Sequence, residues 1–193
     1  MHSLVVFNKY TEAEKLKMQV LDAAIKILGA EHLETIRAMA NLAETYYWLG
    51  KYTEAEKLKI QVLDARKRIL GEEHPDTIDA MANLGATYQS LGQYTEAEKL
   101  MVQALNAKNR ILGVEHPNTI NAMGNLAATY QNLGRYTEAE NLEIQVLDAR
   151  SRILGVEHPS TINAMANLGV TYRNLGKYTE AEKTNGPSPE CKE

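Results

Sequence analysis

Tyr52-Thr53-Glu54-Ala55-Glu56 returns letter for letter at Tyr10, Tyr94, Tyr136 and Tyr178, each tyrosine 42 residues from the last. A fixed period of this size marks a repeat array, in which every unit is one supersecondary element. Two further sets of markers keep the same register. Gly50, Gly92, Gly134 and Gly176 stand two residues ahead of their tyrosines, and Asn8 takes that place ahead of Tyr10. Asn is the usual replacement where glycine serves a left-handed backbone. Leu-Gly-x-Glu-His-Pro runs from Leu70 to Pro75, Leu112 to Pro117 and Leu154 to Pro159, with Leu33 in place of the proline in the first copy.

These markers divide each period into two helices. Thr-x-x-Glu (Thr11/Glu14, Thr53/Glu56, Thr95/Glu98, Thr137/Glu140, Thr179/Glu182) reads as a capping box that opens a helix B. Behind it Ala55, Leu58, Val62, Ala65 and Ile69 recur at steps of three and four, an apolar stripe of about 17 residues closed by Gly71. Pro75 suits a first helical position and Asp76 the positive end of a helix dipole, so a helix A follows. Its stripe is Ile78, Met81, Leu84, Tyr88 and Leu91, and the small residues Ala80, Ala82 and Gly85 allow close approach of another helix. Leu91-Gly92-Gln93 is the short turn back into the next helix B.

Two antiparallel helices cannot bury their stripes alone, so neighbouring pairs stack. The expected fold is all-α, a right-handed superhelical solenoid of antiparallel helix pairs. Residues 1–9 read as the remnant of a preceding helix A and its turn. The array spans 10–183: a helix B, three A-B pairs, a last helix A and a helix B stub. Residues 184–193, with Cys191, read as a disordered tail.

The 193-residue chain has a formal charge of -4 and a sequence pI near 5.8, which do not favour nucleic acid or an anionic membrane surface as a partner. No apolar run approaches the roughly 20 residues needed to span a bilayer. The single cysteine has no partner for a disulfide or a metal. A soluble, cytoplasmic protein without cofactors is expected.

The motif Asn-Leu-Ala/Gly-x-x-Tyr-x-x-Leu-Gly-x-Tyr-x-Glu-Ala-Glu, from Asn41 to Glu56 and in its copies, resembles the tetratricopeptide repeat in its 42-residue, kinesin-light-chain-like form. The wording Gln-Val-Leu-Asp-Ala-Arg, Gln61 to Arg66, is most similar to arrays of fungal nucleotide-binding sensor proteins. The resemblance covers nearly everything from Leu4 to Lys183. It departs from the family at Lys17, Lys59, Met101 and Glu143, where a packing residue is common.

The resemblance implies a non-enzymatic interaction scaffold, a fragment or relative of a larger sensor or adaptor, whose helices A line a concave groove for a peptide segment or partner helix. Carried onto this chain, the groove contains Asn41, Asn83, Asn125 and Asn167, whose amides could pair with the backbone of an extended ligand or instead fix helix stacking. It also contains Arg37, Asp79, Asn121 and Asn163 in the first turn, Glu44 and its counterparts Ala86, Ala128 and Val170, and Tyr47, Trp48, Gln89, Gln131 and Arg173 toward the far end. This groove is expected to be polar and nearly neutral, with one aromatic and charged cluster of Arg37, Glu44, Tyr47 and Trp48. A carboxylate clamp of that family would match Arg37, Asn41 and Asn83 but lacks its bases at Asn121 and Asn125, and the groove as a whole lacks the basic residues that hold acidic cargo peptides.

Other chemistries are disfavoured. The Glu-His pairs Glu31-His32, Glu73-His74, Glu115-His116 and Glu157-His158 fall on successive layers about 10 Å apart, too far to share a metal, and are expected to fix loops or cap helices. Asp22/Lys26, Asp64/Arg68 and Asp148/Arg152 read as solvated i,i+4 helix support. No phosphate loop or nucleophile-base pair appears, so no enzyme is expected. The alternative function is self-association through half-repeat ends. Leu16, Val20 and Ala23 at one end, and some of Met165, Leu168 and Tyr172 at the other, are expected to be open apolar surface for head-to-tail contact.

Overall fold

A computed structural model of the chain describes residues 2–184, with side chains from residue 11 onward. The described residues form helices α1 (His2–Leu28), α2 (Leu33–Trp48), α3 (Tyr52–Leu70), α4 (Pro75–Ser90), α5 (Tyr94–Leu112), α6 (Pro117–Asn132), α7 (Tyr136–Leu154), α8 (Pro159–Asn174) and α9 (Tyr178–Thr184). Even-numbered helices are the expected helices A and odd-numbered ones the helices B. The chain divides into two compact units between Leu100 and Met101, inside α5. Within the first unit α1 packs on α2, α2 on α3 and α3 on α4; within the second, α6 packs on α7, α7 on α8 and α8 on α9.

The turn from helix A into helix B departs from the expected capping box. Helix α3 starts two residues earlier, at Tyr52, with Lys51 rather than Thr53 as N-cap and no side-chain capping bond. Lys51 N–H donates to Tyr46 O at 2.8 Å and Gly50 N–H to Tyr47 O at 3.0 Å, the double bond of a Schellman ending. The residue that closes α2 therefore also opens α3. Gly50 sits at φ 74°, where a side chain would strain the backbone. The glutamate assigned to the capping box reaches forward instead: Glu14 accepts from Lys51 Nζ at 2.7 Å, and Glu140 from Lys177 Nζ at 2.7 Å. Each pair ties one layer's helix B to the next layer's turn. Each of these lysines is held above the ordinary lysine range, mainly by its hydrogen bond to the glutamate.

The expected turn near residue 8 is absent, because α1 continues unbroken from His2 to Leu28. An L-residue in the left-handed region costs about 1–2 kcal/mol, whereas continuing the helix keeps its backbone bonded. With asparagine instead of glycine, the helix continues. Thr184 closes α9; the rest of the expected tail, with Cys191, lies outside the described residues.

At the opposite turn Gly71 caps α3 at φ 90°, ψ 164°, a region open essentially to glycine alone. His74 then caps α4: its Nδ1 accepts from Asp76 N–H at 3.2 Å, with Pro75 at the first helical position. His32, His116 and His158 do the same for Glu34, Asn118 and Ser160. The Glu-His pairs thus cap helices as expected. Their glutamates link layers, Glu31 to Arg68 and Glu115 to Arg152 at 2.7 Å. Asp148 and Arg152 form the expected helix pair at 3.7 Å.

The core holds Ile78, Ala80, Met81, Leu84 and Gly85 of α4, and equally Thr77 and Thr87, two threonines absent from the expected stripe. Tyr88 and Leu91 are only half-buried. On α3 the buried set is Ala55, Lys59, Val62, Leu63 and Ala65; Leu58 is half-buried and Ile69 exposed. The face turns because a helix B packs on the helix A before it and on the one after it. In the second unit Ile120, Met123, Val146, Ala149 and Ala164 form one cluster with Leu105, Leu142 and Leu147 against it.

Two apolar faces stay open. Val20 is 57% exposed where its counterparts Val62 and Val146 are 2% and 3% exposed, and Leu16 and Ala23 are exposed with it. At the other end the expectation is corrected. Leu168 is buried and Met165 and Tyr172 are half-buried, while the open residue is Ile162, exposed where Ile36, Ile78 and Ile120 are buried. Leu168 belongs to the inner face of its own helix pair, and Ala181 of α9 is buried alongside α8.

Candidate functional site

The carried-over groove residues lie on helices A, and each unit presents its own set. In the first unit Arg37, Asn41, Asp79, Asn83 and Trp48 are exposed, and Glu44, Tyr47 and Gln89 half-buried. The side-chain amides of Asn41 and Asn83 make no hydrogen bond among the described residues. Their backbone carbonyls do accept: Asn41 O from Thr45 Oγ1 at 3.1 Å, and Asn83 O from Thr87 Oγ1 at 3.1 Å.

Beneath this surface lies a charge the groove reading passed over. Lys59 of α3 is 6% exposed. Its Nζ is 3.3 Å from Asn83 O, 3.3 Å from Glu44 Oε2 and 4.6 Å from the centre of the Tyr47 ring. Burial pushes this ammonium below the ordinary lysine range, against the opposing pull of Glu44. Lys17 occupies the equivalent place one layer earlier, 3.1 Å from Asn41 O and 2.7 Å from Thr45 Oγ1. The expected cluster is therefore rearranged. Tyr47 meets Trp48 and Tyr52 edge-to-face, with ring centres 5.6 and 5.4 Å apart, and also accepts from Ser90 Oγ at 3.2 Å. Arg37 stands apart, paired to Glu34 at 2.6 Å, roughly 16 Å along the helix from Trp48.

In the second unit Asn121, Asn125, Asn163, Asn167 and Arg173 are exposed and Gln131 is half-buried. Asn121, Asn125 and Asn167 line one cavity of about 450 Å³, together with Gly124, Ala128, Glu143, Val146, Arg150 and Ala164. Asn163 and Arg173 lie outside its lining. Gln131 is drawn into the structure, its Nε2 donating to Glu143 Oε1 at 2.8 Å and Thr171 Oγ1 at 2.7 Å. Arg150 donates to Ser160 O at 3.0 Å and Asn121 Oδ1 at 2.9 Å.

Glu143 holds the place of Lys59 two repeats later, 5% exposed, with Oε2 lacking a hydrogen-bond partner. Burial raises its carboxyl above the ordinary range, opposed by the nearby Thr171 hydroxyl and reinforced by the charge of Glu140. Met101 completes the series, its Sδ accepting from Thr129 Oγ1 at 3.1 Å. Lys17 and Lys59 in the first unit, and Met101 and Glu143 in the second, thus hold equivalent places within their own units, each on a helix B against the Asn-x-x-x-Thr segment of the next helix A. A signal for it existed in the sequence: Lys59 lies four residues after Ala55 and three before Val62, in phase with the buried face. Among the described residues no group of three or more His, Cys, Asp or Glu side chains gathers as a metal site.

The family model for the tetratricopeptide repeat matches residues 36–110, 82–151 and 120–185. The chain belongs to the tetratricopeptide-repeat family. A kinesin light chain-like protein of nearly identical TPR-like repeats from Podosopora anserina is similar over 92% of this chain and 84% of its own, at 31% identity and a TM-score of 0.83. BtubC (BKLC) from P. vanneervenii is 21% identical over 96% of this chain and 78% of its own, with a TM-score of 0.81. A Rap protein complexed with Competence and Sporulation Factor shares the fold at 15% identity, covering 92% of this chain and 47% of its own, with a TM-score of 0.69. Among curated protein sequences nothing matches. This tetratricopeptide-repeat protein is all-α, a repeat array of a kind typical of protein–protein interaction scaffolds and of non-enzymatic families. No helix among its described residues is long and apolar enough to cross a membrane.

Proposed function

We propose that this tetratricopeptide-repeat protein is a non-enzymatic, cytoplasmic scaffold, a relative of larger sensor or adaptor proteins, that holds an extended protein segment along its helices A. The observation that carries the reading is the asparagine row. Asn41, Asn83 and Asn167 expose side-chain amides that no described residue engages. An exposed amide supplies a donor and an acceptor, enough to pair with a passing peptide backbone whatever its side chains. A Rap protein complexed with Competence and Sporulation Factor shares this fold. The test is selection of a random peptide library on purified protein, followed by titration of the selected peptides into wild type and Asn83→Ala/Asn125→Ala. Binding weakened at least tenfold with an unmoved melting temperature is the expected result. Unchanged affinity removes the backbone-pairing role.

A second reading, head-to-tail self-association, rests on a separate observation. Inside the second unit Ile120 packs in one cluster with Val146, 26 residues on. The open Ile162 of one molecule and the open Val20 of another would recreate that contact in the register of the 42-residue period. Such a contact does not close on itself. Light scattering over a hundredfold concentration range should show growing oligomers that Val20→Glu abolishes, and a strict monomer throughout rejects the reading.

A further inference from the structure

We propose that the cavity over Glu143 in the second unit is a subsite for a cationic side chain, a lysine or arginine of an extended peptide, with the Glu143 carboxylate as its counter-ion. The inference rests on the groove reading above and specifies the ligand. An ionised carboxylate accepts at about four lone-pair sites. Glu143 Oε1 receives Gln131, while Oε2, buried in a side chain that lines the cavity, receives nothing.

The first unit shows what belongs there. At the equivalent position the Lys59 ammonium sits between the Asn83 carbonyl and the Glu44 carboxylate. In the second unit that ammonium is replaced by an acid and Glu44 by Ala128, and the Gln131 amide bridges from Glu143 Oε1 to Thr171 Oγ1 at 2.7 Å and Asn167 O at 3.5 Å, leaving Oε2 as the acceptor without a donor. The space is real. Ala128 and Gly124 line the cavity, and a Cβ added to Gly124 would meet nothing within 4 Å. Glycine at 124 replaces the alanine found at 40, 82 and 166. The fixed cation of this wall, Arg150, is held by Ser160 and Asn121 two turns along α7, about 10 Å from Glu143 along the axis, so it does not fill the position. A ligand cation entering beside Glu143 would pair Oε2 while its backbone lies along the cavity wall that Asn167 lines.

The test titrates the whole labelled chain with N-acetyl-lysine methylamide and, in parallel, N-acetyl-norleucine methylamide, reading the Glu143 carboxyl and Gln131 side-chain amide signals by NMR. The lysine probe should move both signals saturably and the norleucine probe neither. The Gln131 response should vanish in Glu143→Gln and in Glu143→Met, the latter copying the residue that the chain already carries at Met101. Absence of a saturable shift with the lysine probe, an equal shift with norleucine, or an unchanged Gln131 response in Glu143→Gln overturns the proposal. The two readings separate cleanly. Peptides captured through Asn83 and Asn125 alongside a silent lysine probe would remove only the cation subsite. A responding probe with no peptide captured would support the subsite and remove the groove reading.

Discussion

Lys59 and Glu143 stand two repeats apart in the same register, one in each unit, and they place opposite charges beneath otherwise similar surfaces. Around Lys59 the neighbours are an aromatic face, a carboxylate and a carbonyl, all suited to a cation. Around Glu143 the aromatic ring has become Gln131, which donates to the carboxylate, and the carboxylate Glu44 has become Ala128. The helix A partner has therefore changed together with the helix B charge. What differs between the units is the polarity beneath the surface of helices A; what they share is the apolar core and the turns. Each experiment below tests one side of that division.

The largest effect should fall on the shared part. Leu84 and Leu126 are each 3% exposed, so Leu84→Ala and Leu126→Ala should each cost about 2–5 kcal/mol in denaturant unfolding. Clearly unequal losses would show that the two units do not share one packing.

Next comes the part that differs. Burial lowers the Lys59 ammonium, so the folded state holds this proton less firmly than the unfolded state. Its contribution to stability therefore increases as pH rises from the depressed value toward the ordinary lysine value near 10.4. Burial raises the Glu143 carboxyl, so the folded state holds that proton more firmly. Its contribution is lost as pH rises from the ordinary value of about 4.3 through the raised one. Glu143→Met should be neutral to about 4 kcal/mol stabilising at pH 8, the gain shrinking toward pH 4. Any advantage of Lys59→Met should shrink in the opposite direction, toward alkaline pH. Parallel pH profiles for the two variants would break the comparison.

The histidine caps are common to both units. His74→Ala and His158→Ala should each cost about 1 kcal/mol, and His→Asn at either site should restore most of it, because an asparagine oxygen can accept the same N–H. The smallest effect belongs to the layer-to-layer pairs Lys51–Glu14 and Lys177–Glu140. Lys51→Met and Lys177→Met should lower the melting temperature slightly at low salt and not at all at 1 M salt, where charges are screened within about 3 Å.

Much of the molecule was legible in the letters. The period, the two helices per repeat, the closing glycines and the capping histidines are local matters, settled by backbone hydrogen bonds and φ angles within a few residues of each marker. Such features repeat wherever the motif repeats. The capping box misled because Thr-x-x-Glu has two outlets for its carboxylate. Glu14 and Glu140 find a lysine of the next layer, 37 residues away, a partner that no local pattern reveals.

The buried threonines and Lys59 show the same limit. A helix B has two neighbouring helices A, and where their surfaces meet is set by packing rather than by the hydrophobicity of any one residue. The asparagine row could be placed on helices A from sequence, whereas the freedom of the Asn41, Asn83 and Asn167 amides follows from which groups fold near them. Lys17, Lys59, Met101 and Glu143 were visible as departures from the repeat. Their equivalent places within each unit, and the acceptor left without a donor at Glu143, came from tertiary packing, because burial and hydrogen-bond supply are properties of the residues brought together and not of the residue itself.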